Sequence, residues 1–117
     1  MVEVYQLPQG KITIGFSDEQ LSIGLLSLRP GKSLEKHNRP VAEQLLQVRG
    51  SCVMQLFDDA GGVKDVQLKE GDTLTIPANR FHIHSSPSED ESITLWKFEG
   101  DILSVLEKIR AQFKRIL

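Results

Sequence analysis

The chain has 117 residues, 39% hydrophobic and 26% charged, enough for one core and typical of an ordinary soluble globular domain. Fourteen basic and sixteen acidic residues leave a net charge of −2, so bulk electrostatics point to neither nucleic acid nor an anionic membrane as partner. No apolar run reaches transmembrane length, and Met1-Val2-Glu3-Val4-Tyr5-Gln6 lacks the basic-then-apolar order of a signal peptide. A single cysteine, Cys52, has no internal partner for a disulfide, and together these features predict a cytoplasmic protein.

In chain order, short strands alternate with turn signals. Lys11 to Phe16 has strand character, Gln20 to Leu28 is apolar and stops at Pro30-Gly31, and Ser33 to Arg39 alternates up to Pro40. Val41 to Val48 and Ser51 to Phe57 are separated by Arg49-Gly50. Asp58-Asp59-Ala60-Gly61-Gly62 reads as a hairpin turn, because aspartate and glycine accept the positive φ such turns demand. Val63 to Leu68, Thr73 to Ile76, Arg80 to His84 and Ser92 to Phe98 complete the strands, with Pro87 to Asp90 as a polar loop. Even spacing with hairpin signals predicts an all-β antiparallel sandwich or barrel. After about residue 101 the period changes. Ile102, Val105, Leu106, Ile109, Phe113 and Ile116 recur at helical spacing and predict a C-terminal helix over about 101–116, its apolar stripe packed on the sheets. Asp101 is the expected N-cap, with Ser104 and Glu107 as a rival capping box.

All three histidines fall inside one pattern. Gly31-x5-His37-x-Arg39-x3-Glu43-x6-Gly50 resembles the first motif of the cupin superfamily, G-x5-H-x-H-x3,4-E-x6-G. Gly71-x5-Pro77-x-Asn79-x2-His82-x3-Ser86 resembles the second, G-x5-P-x-G-x2-H-x3-N. The resemblance implies one cupin domain over 1–117, an antiparallel jelly-roll barrel with motifs at 31–50 and 71–86 followed by the helix. It also implies a homodimer joined through sheet edges and exchanged N-terminal strands. His37, Glu43 and His82 then stand at metal-ligand positions for Mn, Fe, Ni or Zn, a two-histidine, one-carboxylate set.

Side chains two apart on a strand share a face. Glu35, His37 and Arg39 should therefore point one way, as should Glu43, Leu45 and Gln47, and as should His82 and His84. Arg39, Gln47 and His84 are the candidate ligand contacts, with Gln47 orienting a ligand or else satisfying a buried neighbour, His84 lining the cavity rather than ligating, and Glu35 at its rim. Cys52, Met54 and Trp96 read as core. Asn79 in place of glycine suits a left-handed position, and Ser86 can finish a turn as asparagine does.

Arg39, where the family has a second histidine, leaves two readings open. A guanidinium has no lone pair for a metal. In the first reading the trio still holds a metal, and Arg39 grips an anionic part of a substrate. In the second, Arg39 pairs with Glu43 and the cavity is a metal-free site for a small anion. A structural protein with a vestigial cavity is a third class. The fold hosts many chemistries, so substrate and reaction stay open at this point.

Overall fold

The structure, a computed structural model, describes residues 2–117. Strands follow as β1 (Glu3–Gln6), β2 (Gly10–Ser17), β3 (Ser22–Leu28), β4 (Glu43–Arg49), β5 (Cys52–Phe57), β6 (Val63–Leu68), β7 (Thr73–Ile76), β8 (His82–Ser85) and β9 (Ser92–Phe98). Helix α1 (Leu103–Gln112) and the short β10 (Lys114–Arg115) close the chain. One sheet has the order β10-β1-β2-β3-β9-β4-β7 and the other β6-β5-β8, with every pairing antiparallel. Among the described residues no helix is long and apolar enough to cross a membrane.

Alternation sets the core. Ser92, Thr94, Trp96 and Phe98 point inward from β9, as do Ser22, Gly24, Leu26 and Leu28 from β3. Leu28, Met54, Ile76 and Ile14 are fully enclosed, each contributing about 1.5–3 kcal/mol of burial. Gly24 lies opposite Trp96, and a Cβ there would stand 2.4 Å from the indole Cζ2 and 1.9 Å from the Thr13 carbonyl oxygen. The missing side chain is what lets Trp96 lie flat in the core.

The turn chemistry holds. Gly31, Gly50 and Gly71 all have positive φ, and Asn79 is the one non-glycine residue described with positive φ, at 66°. Ser86 is buried beside the Pro87–Asp90 loop.

Two expected elements differ. The helix does not continue to residue 116: it ends at Gln112, and Phe113 turns extended (ψ 155°). Lys114 and Arg115 then pair with Gln6 and Tyr5, and the Ile116 N–H donates to Val4 O at 2.8 Å. Pairing the open edge of β1 satisfies backbone groups that one more helical turn would leave bare. As a consequence β1 is not an edge strand, which removes the free N-terminal edge expected for strand exchange. The N-cap is Ile102, which makes no side-chain cap bond, and not the expected Asp101; one residue earlier, Asp101 Oδ1 accepts from the Leu103 N–H at 2.9 Å.

The segment Ser33 to Arg39 is not a regular strand. It meets β8 through two bridges, Ser33 with Ser85 and His37 with His82. Three residues lie between Ser33 and His37 but only two between His82 and Ser85, a one-residue bulge. The bulge breaks the strict alternation expected along this segment, so Leu34 packs on the core although His37, three residues on, faces the cavity.

Candidate ligand and metal site

A cavity of about 590 Å³ opens between the bulged segment, the inner sheet faces and α1. Its polar wall is formed by His37, Arg39, Glu43, His82 and His84, and its apolar wall includes Trp96, Phe98 and Leu26. Ile102, Val105, Leu106, Ile109 and Phe113 line the cavity from α1 and its ends, and Ile102 and Leu106 are each only 1% exposed. The helical stripe thus packs against protein and roofs the cavity.

His37 and His82 face each other because their backbones exchange both hydrogen bonds, at 3.0 and 2.8 Å. Their ring centroids are 4.3 Å apart, edge on. His37 Nδ1 lies 2.7 Å from Glu35 O, and His82 Nδ1 lies 3.0 Å from Arg80 O. A carbonyl only accepts, so each Nδ1 carries a proton, and the neutral His37 ring keeps its lone pair on Nε2. Backbone anchoring of this kind orients metal-ligating histidines. His82 Nε2 is 3.4 Å from Glu43 Oε1. Burial, then the charges of Arg39 and His82, push the His37 pKa down to about 4, so the ring is neutral at pH 7. Burial likewise lowers His84 to about 4, with Glu43 opposing.

The trio therefore fits a divalent ion in donor type: two imidazoles held through Nδ1 with Nε2 left to ligate, and a carboxylate on one wall. Its side chains are not drawn into a tight cluster, and among the described residues no group of three His, Cys, Asp or Glu is arranged to hold an ion.

Arg39 lies half-buried in the same wall, but the expected pairing with Glu43 is not formed. Among the described residues no ion pair joins them, and Glu43 turns to His82 instead. Arg39 Nη1 makes one long hydrogen bond, 3.3 Å to Asn38 O. The Asn79 N–H donates to Arg39 O at 2.7 Å, which fixes the backbone at the cavity mouth. Burial lowers the Arg39 pKa and Glu43 raises it, the sign expected of a cation in the field of a carboxylate it does not touch.

Gln47 takes the second of its two open roles and satisfies buried neighbours. It is 1% exposed and lies outside the cavity wall. Its Nε2 donates to Arg49 O at 2.8 Å and to Ser92 Oγ at 2.9 Å, and its Oε1 accepts from Thr94 Oγ1 at 2.7 Å. With every amide group used, nothing remains for a ligand. The residue missed in the sequence is Thr94, fully buried between Gln47 and His84. The available signal was two polar residues, Ser92 and Thr94, on the inward face of an otherwise apolar alternating strand. Glu35 sits exposed at the rim, and its backbone carbonyl is what serves the site.

The motifs and the paired antiparallel sheets define a cupin, and the chain belongs to the cupin superfamily. No family model matches it. It is 32% identical over 98 residues to the 3-hydroxyanthranilate 3,4-dioxygenase of Brucella anthropi, covering 83% of this chain and 48% of that protein. The enzyme of the same name from Ruegeria pomeroyi is 31% identical over 83 residues, 71% of this chain and 40% of that one. Among solved structures, oxalate decarboxylase from Bacillus subtilis superimposes with a TM-score of 0.76 at 22% identity, over 82% of this chain and 27% of that chain. The chain spans about half the length of the curated relatives it matches.

Proposed function

We propose that this cupin binds a small carboxylate-bearing molecule in the cavity beneath α1, with Arg39 engaging the anionic group. The observation that carries this reading is a half-buried guanidinium in the cavity wall with no carboxylate partner. An unpaired buried charge is costly, and an anionic ligand supplies the missing partner. The names of the similar proteins, a 3-hydroxyanthranilate dioxygenase and an oxalate decarboxylase, also describe enzymes acting on small carboxylates.

In the enzyme form of this reading, His37, Glu43 and His82 hold a divalent Mn, Fe, Ni or Zn ion. When bound, such an ion supplies Lewis-acid polarisation of the substrate. The protein's own part is to orient both imidazoles through Glu35 O and Arg80 O, to hold the anion at Arg39, and to exclude water with the apolar face of α1. The metal-free alternative, a ligand-binding or sensing module, is favoured by the same Arg39, whose charge opposes a cation.

The test is isothermal titration of oxalate and benzoate into wild type and Arg39→Gln. Wild type should bind at least one of them, and the variant should lose about tenfold or more, the worth of one charge-assisted bond. Undiminished binding by Arg39→Gln, or no binding of either by wild type, overturns the assignment.

We further propose that 1–117 works as one domain in a cytoplasmic homodimer, joined through the outer face of the large sheet. Phe16, Ile23, Leu25, Leu46, Ile93 and Leu95 stand in adjacent registers there, and Phe16 and Leu25 are 50% and 37% exposed. Four strands by about six residues span roughly 19 by 20 Å, so two copies bury roughly 800 Å² before side-chain relief is counted.

A further inference from the structure

Four buried polar side chains form one continuous chain from the backbone to the cavity. Ser92 and Thr94 are 0% exposed, Gln47 1% and His84 4%. Each proton on this chain can be placed by a single rule, that a carbonyl oxygen accepts and never donates. Arg49 O is 2.8 Å from one end of the Gln47 amide, so that end is the nitrogen. The other end is therefore the oxygen, and it faces Thr94 Oγ1 at 2.7 Å. Thr94 has one hydroxyl proton, and it must go to this oxygen. Towards His84 Nε2, 3.3 Å away, Thr94 can then only accept. His84 Nε2 carries a proton, and a ring holding a single proton keeps its lone pair on Nδ1.

This is the opposite tautomer to that of His37, whose Nδ1 donates to a backbone carbonyl. The Nδ1 of His84 has no protein partner. Nor is it sealed: the buried side-chain nitrogens and oxygens left without a partner are Ser22 Oγ and Trp96 Nε1 among the described residues. Since His84 lines the cavity, its Nδ1 opens there.

We propose that Gln47 and Thr94 are positioning residues that hold His84 as the Nε2–H tautomer, so that the cavity is presented with a hydrogen-bond acceptor. Resting on the ligand reading above, this adds a second recognition element to Arg39: the molecule that places its anion on the guanidinium meets an acceptor suited to an O–H or N–H group. A purely structural role explains the arrangement less well. Packing four polar groups in a core costs desolvation that apolar side chains of similar volume would avoid.

The experiment is long-range proton–nitrogen correlation NMR on the 15N-labelled full chain at neutral pH, without added metal or ligand. With three histidines in the chain, a His84→Gln variant assigns the signals. His84 should show a protonated Nε2 and a downfield, unprotonated Nδ1, while His37 shows the reverse. Thr94→Ser should keep the His84 pattern. Thr94→Val should turn it into an averaged or inverted one. A protonated Nδ1 on His84 in wild type overturns the proposal, and so does an unchanged tautomer in Thr94→Val. If the valine variant does not fold, the wild-type tautomer and the serine variant still decide. The readout involves neither anion nor metal, so failure here leaves Arg39 binding standing, and failure of oxalate and benzoate to bind leaves the tautomer standing.

Discussion

Arg110 grips Glu3 at two points: its Nε is 3.0 Å from Oε1 and its Nη2 3.0 Å from Oε2. Tyr5 donates to the same Oε1 at 2.6 Å. The pair ties α1, the roof of the cavity, to β1. The bonds from Arg110 and then Tyr5 hold the Glu3 pKa down at about 2. A carboxyl depressed in the folded state contributes stability that is full above its unfolded pKa and is lost as pH falls through the folded one. Glu3→Gln should therefore cost about 1 kcal/mol at pH 7, a few degrees of Tm, after allowance for solvent screening. The gap between the two proteins should narrow as pH falls from about 5 towards 2. Thermal melts across that range check it, and a constant gap would show that the carboxylate charge contributes nothing.

The fold was legible because two rules run along the chain without interference: alternation marked the strands, and the turn residues marked their ends. Val63–Leu68, Thr73–Ile76 and Ser92–Phe98 have the bounds that alternation predicts. Failures came where long-range pairing competes with local pattern. Phe113 to Ile116 continue a helical period but are drawn into pairing with β1, whose partner no local reading identifies. Glu3 to Gln6 became a strand for the same reason. At the site, His37, Glu43, His82 and Arg39 could be placed on one wall from motif spacing. The bulge before His37, the turn of Glu43 towards His82 and the use of Gln47 inside the core depend on neighbours far away in sequence.

The left-handed Asn79 offers a backbone test. Its φ of 66° costs little for asparagine or glycine and roughly 1–2 kcal/mol for a residue with a bulkier Cβ. Asn79→Gly should leave stability within a few tenths of a kcal/mol, whereas Asn79→Val should lose about 1–2 kcal/mol. Urea unfolding of the three proteins gives the comparison. Equal midpoints for valine and glycine would mean the turn relaxes out of the left-handed region.

For the outer sheet face, the variant to make is Leu25→Lys. Leu25 pairs with Leu95, and Leu95 with Leu46, so a charge there falls in the middle of the apolar rows. Side chains on this face do not support the core, and the fold should survive with an unchanged far-ultraviolet spectrum. Light scattering at about 50 µM should give a dimer for wild type and a monomer for the variant, since one unpaired buried charge costs several kcal/mol. A wild-type monomer, or a variant that still dimerises, would remove this face as the interface.

The sharpest division lies at Arg39. Its guanidinium shares a wall with His37, Glu43 and His82, and its charge already lowers the proton affinity of His37. What opposes a proton there opposes a divalent cation for the same reason. At an intermediate effective dielectric, two unit charges about 4 Å apart interact by roughly 4 kcal/mol, and desolvation offsets part of this. Even a net 1.4 kcal/mol is tenfold in affinity. Arg39→His removes the repulsion and adds a nitrogen donor beside the trio, completing the family's first motif. Titration calorimetry with Mn(II), Ni(II) and Zn(II) at neutral pH should show tighter binding by the variant, by about tenfold or more. Equal and tight binding by both proteins would mean that Arg39 stands clear of the ion, and the metal-free reading would be abandoned for the enzyme. No binding by either would mean that His37, Glu43 and His82 do not close around an ion even with the charge removed. The cavity would then be an anion site alone.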